Sequence, residues 1–89
     1  MKIPEDVRAV VGGRDLESIA VHVRYTNWEG KTSERRIIPL SIFYGTLENY
    51  HLEEQWLMKV WDVDKWSYRT YALAGVREWL RVPVEGREC

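Results

Sequence analysis

The sequence has a single cysteine, Cys89, at its last position. One cysteine cannot form an internal disulfide, and no spacing of cysteine and histidine resembles a structural zinc site. The two histidines, His22 and His51, have no second ligand at metal spacing. We therefore expect no metal and no other cofactor, and a fold stabilised by packing alone.

Long apolar runs are also absent. The longest cover only a few residues, as at Val10-Val11 and Ile37-Ile38, whereas a helix needs roughly 20 apolar residues to cross a bilayer. The N-terminus shows neither the apolar centre nor the small-residue cleavage site of a secretory signal. We expect a cytoplasmic protein without a membrane partner.

Neither sign of charge is in large excess, because 13 basic residues stand against 14 acidic ones and the formal net charge is −1. General nucleic-acid binders usually have a strong basic excess, so any anion site must be local. The sequence has no glycine-rich phosphate loop and no nucleophile elbow, and Cys89 lies on the terminal tail. These absences favour a binding protein over an enzyme.

Aromatic residues, by contrast, are abundant. The 89 residues include five tryptophans and five tyrosines within an otherwise ordinary composition of 45% apolar and 30% charged residues. A chain of this length forms one domain, with its core expected at about residues 18–82. It cannot bury all of these rings, so some should face a ligand or a partner.

The pattern along the chain predicts one short helix followed by five strands. Residues 4–11 have proline and two acids in front and two glycines behind, which is typical of a short helix with a glycine stop. From Ser18 apolar residues alternate, which predicts a half-buried strand, and residues 27–30 predict a hairpin turn. Further strands are expected at residues 31–44, 55–62, 67–73 and 76–82.

Two details refine this prediction. Adjacent apolar residues and a proline at Ile37-Ile38-Pro39 interrupt the alternation, so a bulge or bend is expected there. Residues 45–54 are expected to form a polar connection, and residues 83–89 a frayed tail. Five closely spaced strands with tight turns predict a mainly β fold, a small and strongly bent antiparallel barrel.

Three stretches of the sequence resemble the WYL domain, a bacterial module named for a Trp-Tyr-Leu signature. They are RRIIPL at residues 35–40, QWLM at residues 55–58 and YRTYALAGV at residues 68–76. They resemble, in order, the family's Arg-x-Ile/Val-x-Pro strand, its signature tripeptide and its Arg-x-Phe/Tyr-x-Leu strand. Order and spacing agree over roughly residues 18–80.

The resemblance implies an Sm-like, SH3-type five-stranded barrel and a sensing role in bacterial transcription regulation. The family usually has a DNA-binding winged helix-turn-helix before this domain. Only about 17 residues precede the first predicted strand here, so we expect a stand-alone or excised version, with a separate regulatory protein as a possible partner. The chain departs from the family at Leu57, in place of the signature tyrosine, and at Ala72 and Gly75, where a basic residue is common.

Arg35 and Arg69 are the first candidates for a binding site. Alternation places Arg35 on the same strand face as Ile37, and Arg69 on the face of Tyr71. An arginine among apolar neighbours needs an anionic or hydrogen-bonding partner. That partner is either a phosphate or carboxylate ligand or a structural ion pair. The acids considered for such a pair are Glu34, Glu53, Glu54 and Asp62.

Aromatic residues supply the remaining candidates. Tyr25, Trp56 and Tyr71 are able to stack on a nucleobase, although a core position is the commoner role and is the one expected for Trp56. Trp28 and Trp66 lie in predicted turns and are expected on a partner surface.

The sequence therefore predicts a non-enzymatic ligand-sensing domain that recognises a nucleotide or a short single-stranded nucleic acid. The alternative is a protein-interaction or self-assembly module that does not bind nucleic acid. In both cases a homo-oligomer is expected, because open strand edges and turn aromatics bury well against a second copy.

Overall fold

The structure is a computed structural model that describes residues 3–47 and 51–82. It contains two helices, α1 (Glu5–Val11) and α2 (Leu16–Ile19). Five strands follow: β1 (Val21–Thr26), β2 (Thr32–Leu47), β3 (His51–Asp62), β4 (Ser67–Ala72) and β5 (Val76–Arg81). A 3₁₀ turn at Leu73–Gly75 joins β4 to β5. The predicted mainly β class is confirmed.

The five strands form one antiparallel sheet in the order β4-β3-β2-β1-β5. The long strand β2 connects its two halves, because residues 32–37 pair with β1 and the residues from Ile37 onward pair with β3. Its register with β3 shifts between Pro39 and Ser41, so the predicted bulge is confirmed. Within the described residues β4 and β5 have no ladder between them, and the sheet does not close into a barrel.

The sheet has an apolar cluster on each face. The first cluster joins Val23 and Tyr25 of β1 to Ile37 of β2. The second contains Ile38 of β2 and lies under Val7 of α1. Because successive strand residues point to opposite faces, adjacent Ile37 and Ile38 enter different clusters, and both are almost fully buried.

The two local turn predictions are also confirmed. Gly12 ends α1 in the left-handed conformation with φ 60°, and its N–H donates to the carbonyl of Arg8. In the β1–β2 hairpin Gly30 has φ 85°. The side chain of Asn27 accepts the N–H groups of Glu29 and Lys31 and holds that turn together.

Two predicted boundaries are wrong. Residues 18 and 19 belong to α2 and not to the first strand, which begins at Val21. Residues 45–47 and 51–54 belong to strands and not to the predicted polar connection, since β2 continues to Leu47 and β3 begins at His51. Cross-strand pairs such as Tyr44 opposite Trp56 extend the ladder beyond the core, so pairing outweighs polar composition there. Residues 48–50 and the predicted frayed tail at 83–89 lie outside the described residues.

In the described part of the chain, no helix has the length and apolar character needed to cross a membrane.

Candidate ligand-binding site

A cleft of about 660 Å³ is lined by residues from the face of the sheet that carries the first apolar cluster and by Lys59 and Tyr68, whose strand positions lie on the opposite face. It brings together four of the five residues predicted to bind a ligand: Tyr25, Arg35, Arg69 and Tyr71. Trp28, from the β1–β2 turn, also lines it. The fifth predicted residue, Trp56, does not line this cleft.

Strand register explains why both arginines face the cleft. Arg35 lies opposite Val23 in the β1–β2 ladder, and Arg69 lies opposite Val60 in the β3–β4 ladder. Both valines belong to the first apolar cluster. Since directly opposite residues share a face, both arginines extend from that cluster. The predicted alternation of Arg35 with Ile37 and of Arg69 with Tyr71 is confirmed.

The cleft arginines differ from Arg24 and Arg36 of the same sheet, each of which pairs with two carboxylates. Arg24 pairs with Glu34 and Glu78, and Arg36 pairs with Glu17 and Asp64. No ion pair within residues 3–47 and 51–82 involves Arg35 or Arg69. Within the described residues, no carboxylate therefore neutralises their guanidinium groups.

Asp62, one of the acids considered for a structural pair, is held by other groups. Its side chain is only 1% exposed. One oxygen, Oδ1, accepts the backbone N–H groups of Asp64 and Lys65, each at 2.9 Å, and Oδ2 accepts the Tyr71 hydroxyl at 3.4 Å. This carboxylate shapes the β3–β4 turn and orients Tyr71.

Tyr25 and Tyr71 form the floor of the cleft. Their rings stack with centroids 4.1 Å apart, and each residue is 6% exposed. The Tyr25 hydroxyl accepts the N–H of Ala72 at 3.1 Å. Burial raises the pKa of both phenols, and the Asp62 carboxylate raises the pKa of Tyr71 further. The ring faces that meet in this stack are not open to a nucleobase.

Sequence reasoning missed several residues of the cleft, among them Lys59, Lys65 and Tyr68. Tyr68 is 42% exposed, and the Lys59 ammonium lies 4.6 Å from its ring centroid. Lys59 sits in a strand between buried residues and Lys65 in a turn, so neither had a periodic signal to distinguish it from a solvated charge. With both lysines included, the described lining carries four basic side chains and one carboxylate. The chain thus concentrates positive charge locally despite its formal net charge of −1.

Two tryptophans lie where the sequence did not predict. Trp56 is 54% exposed, so the expected core position is wrong. Its ring lies edge-on to that of Tyr44, with ring centroids 5.3 Å apart. It belongs to the part of the β2–β3 hairpin that continues past the core. Trp66 is half-buried against the second cluster, and its ring centroid lies 5.6 Å from that of Trp61. Trp66 is thus partly packed, and its predicted place on a partner surface stays a prediction.

The described residues include no group of three or more histidine, cysteine, aspartate or glutamate side chains able to hold a metal ion. The chain matches no protein-family model, and a search of curated proteins and of solved structures finds no significant match. Any function must therefore be inferred from the chemistry of the cleft.

Proposed function

We propose that the chain is a non-enzymatic, WYL-like sensing domain that binds a nucleotide or a short single-stranded nucleic acid in the cleft. The observation that carries this proposal is the pair Arg35 and Arg69, which face one cleft without a described carboxylate partner. In bacterial transcription regulation such a domain would act in the cytoplasm, without a cofactor, and reach DNA through a separate regulatory protein.

The chemistry of the lining suits a ligand with both phosphate and aromatic parts. Guanidinium groups bind phosphate oxygens in a bidentate manner, and lysines add unspecific attraction. Trp28, Phe43 and Tyr68 are between 39% and 59% exposed around the same cleft and are able to contact a base. The volume of about 660 Å³ lies in the range that holds a small organic ligand.

The bend of the sheet supports the Sm-like, SH3-type version of the fold within this proposal. The bulge after Pro39 redirects β2, and the Tyr25–Tyr71 stack joins strands from opposite halves of the sheet. Both features are expected of a sheet that curls toward a small barrel.

The test is a fluorescence-anisotropy titration of the chain with labelled eight-nucleotide single strands and the matching duplex. Three or four phosphate contacts predict that single-strand affinity falls by about 20- to 50-fold between roughly 50 and 200 mM salt. Single strands should bind more tightly than the duplex, because exposed rings can stack only on unpaired bases. Absence of binding at the lower salt concentration would overturn the proposal.

A second candidate function, self-assembly, is favoured by an exposed apolar patch on the β2–β3 hairpin. Ile42, Tyr44 and Trp56 are each more than half exposed. Tyr44 lies opposite Trp56, and Ile42 is two residues before Tyr44, so the three side chains share one face of the hairpin. Such a patch is typical of an interface, and a second copy of the chain carries the same patch in a two-fold arrangement.

Light scattering over a range of protein concentrations tests this candidate. The unmodified chain should form a dimer or larger species, and Trp56→Ser should shift it toward the monomer. A chain that stays monomeric at high concentration would remove self-assembly and leave the ligand-binding proposal unaffected.

A further inference from the structure

Helix α1 contacts the cleft through one carboxylate, that of Asp6. The Tyr68 hydroxyl donates to Oδ1 of Asp6 at 2.7 Å, and Nζ of Lys59 lies 3.9 Å from Oδ2. Tyr68 and Lys59 both line the cleft. An internal anion therefore already engages two of the groups that an anionic ligand would use.

The packing of α1 places this carboxylate at the rim of the cleft. Val7 and Val11 bury the helix against the second apolar cluster, which includes Trp61. The Trp61 ring lies edge-on to Tyr68, with centroids 5.1 Å apart, and the two residues pair across β3 and β4. Tyr68 thus contacts Trp61, which belongs to the cluster that packs against α1, and also lines the cleft.

The Asp6 carboxylate and an incoming anion would compete for the same two groups, Lys59 and Tyr68. The hydrogen bond from Tyr68, with the nearby Lys59 ammonium, lowers the pKa of Asp6, so its carboxylate stays ionised at neutral pH. A phosphate near Lys59 would face this like charge. The Asp6 and Lys59 side chains are 48% and 43% exposed, so their ion pair is weak and a doubly charged anion can replace it.

We propose that Asp6 is an internal competitor for the ligand: an anion that binds Lys59 and Tyr68 displaces the Asp6 carboxylate and loosens the contact between α1 and β4. This inference rests on the proposed function for the identity of the ligand. Asp6 then sets how tightly the cleft holds an anion, and occupancy of the cleft changes the mobility of the first turn of α1.

The experiment compares Asp6→Asn with Glu5→Gln. Asp6→Asn removes the charge while it keeps the size and a hydrogen-bond acceptor for Tyr68. Glu5→Gln removes the same charge one residue earlier, where Glu5 is exposed and makes no ion pair within the described residues. Inorganic pyrophosphate is the probe, because it has the charge without a base, and the labelled eight-nucleotide single strand is the second probe. Circular dichroism melts establish that both variants fold.

Asp6→Asn should bind pyrophosphate about three- to fivefold more tightly than the unmodified chain, and Glu5→Gln less than about twofold more tightly. The Val7 N–H donates to Asp6 Oδ1 at 2.8 Å, so its amide resonance reports the carboxylate directly. It should shift when pyrophosphate binds the unmodified chain and shift much less in Asp6→Asn.

The outcomes separate this inference from the proposed function. If pyrophosphate binds Asp6→Asn more tightly but the oligonucleotide binds neither protein, the competition stands and the proposed function fails. If the oligonucleotide binds the unmodified chain and Asp6→Asn binds neither probe more tightly, the function stands and the inference is overturned. Absence of pyrophosphate binding to both proteins also overturns the inference.

Discussion

The rings of Tyr25 and Tyr71 stack with centroids 4.1 Å apart and planes inclined by 19°, although β2 and β3 lie between their strands in the sheet. Neighbouring strands are about 4.8 Å apart, so in a flat sheet β1 and β4 would lie roughly 14 Å from each other. The stack therefore requires a strongly bent sheet. The same bend brings Arg35 of β2 and Arg69 of β4 to one cleft.

Tyr25→Phe tests how far one hydroxyl stabilises this bend. The substitution keeps the stacked ring but leaves the buried Ala72 N–H without its acceptor, so the free energy of unfolding should fall by about 1 to 3 kcal/mol. Urea denaturation measures the difference. Tyr44→Phe is the matched control, because Tyr44 is 56% exposed and its hydroxyl lies 3.5 Å from the Glu54 carbonyl. Equal stability of the two variants would show that the Tyr25 hydroxyl contributes nothing.

Gly75→Ala tests the close contact beside the same tyrosine. A Cβ at Gly75 would lie 2.6 Å from the Thr26 carbonyl oxygen and 2.7 Å from Cε1 of Tyr25. Because a backbone atom cannot easily move away, we expect a loss of about 1 to 3 kcal/mol. Gly45→Ala is the control, since no atom of the described residues other than its chain neighbours lies within 4 Å of its added Cβ, and its stability should change by less than about 1 kcal/mol. A Gly75→Ala variant as stable as the control would contradict the contact.

The contact at Gly75 also limits which side chains this position can hold. The Tyr25 ring and the Thr26 carbonyl fill the space that a longer side chain would need. A basic residue at this position would have to displace the floor of the cleft. The basic side chains that line this cleft are Arg35, Lys59, Lys65 and Arg69.

Alkaline pH should destabilise the fold through its buried phenols. Burial raises the pKa of Tyr25 and Tyr71 above the ordinary value of 10.0, whereas unfolded tyrosines ionise near that value. The contribution of these two phenols to the free energy of unfolding is complete below about pH 10. It is lost as the pH rises toward their pKa values in the folded protein. Melting temperatures should therefore stay level from neutral pH and fall above about pH 10.

Tyr71→Phe provides the comparison for this pH dependence. The variant has one fewer buried phenol, so its melting temperature should fall less steeply over the alkaline range than that of the unmodified chain. Ultraviolet absorbance of tyrosinate follows ionisation in the same samples. Parallel curves for the two proteins would contradict a role for Tyr71 in the alkaline loss.

Much of the fold could be predicted because its signals are local. The alternation of Val21, Val23 and Tyr25, the glycine after α1 and the proline in β2 each correspond to a feature of the structure. The length of the β2–β3 hairpin could not be predicted in the same way. Its outer ladder depends on cross-strand pairs between residues distant in sequence, and the polar composition of residues 45–54 conceals them.

In the candidate site, too, local signals could be read from the sequence and contacts between distant residues could not. Arg35 and Arg69 were found because their strand phase sets them beside apolar residues. Lys59 and Tyr68 were missed because their connection depends on α1, whose Asp6 is more than 50 residues earlier in the chain. Trp56 was misplaced because aromatic character alone does not show where a hairpin leaves the core.

Arg69→Ala provides the most direct test of the cleft. Arg69 makes no described ion pair, so its removal leaves no described carboxylate buried without a partner. If Arg69 holds a ligand phosphate, the substitution removes a charge-assisted contact of about 1.5 to 3 kcal/mol, and affinity for the eight-nucleotide single strand should fall roughly ten- to hundredfold. The free energy of unfolding should change by less than about 0.5 kcal/mol, as for other exposed positions.

Arg24→Ala is the control for Arg69→Ala, because it removes the same charge from the opposite strand face, where Arg24 pairs with Glu34 and Glu78. Its affinity for the oligonucleotide should fall by less than about threefold, since Arg24 is outside the cleft and only long-range attraction is lost. Anisotropy titrations and thermal melts of both variants separate binding from folding. A large loss of melting temperature in Arg69→Ala with unchanged affinity would show that Arg69 is a structural residue and would contradict its role in the proposed phosphate site.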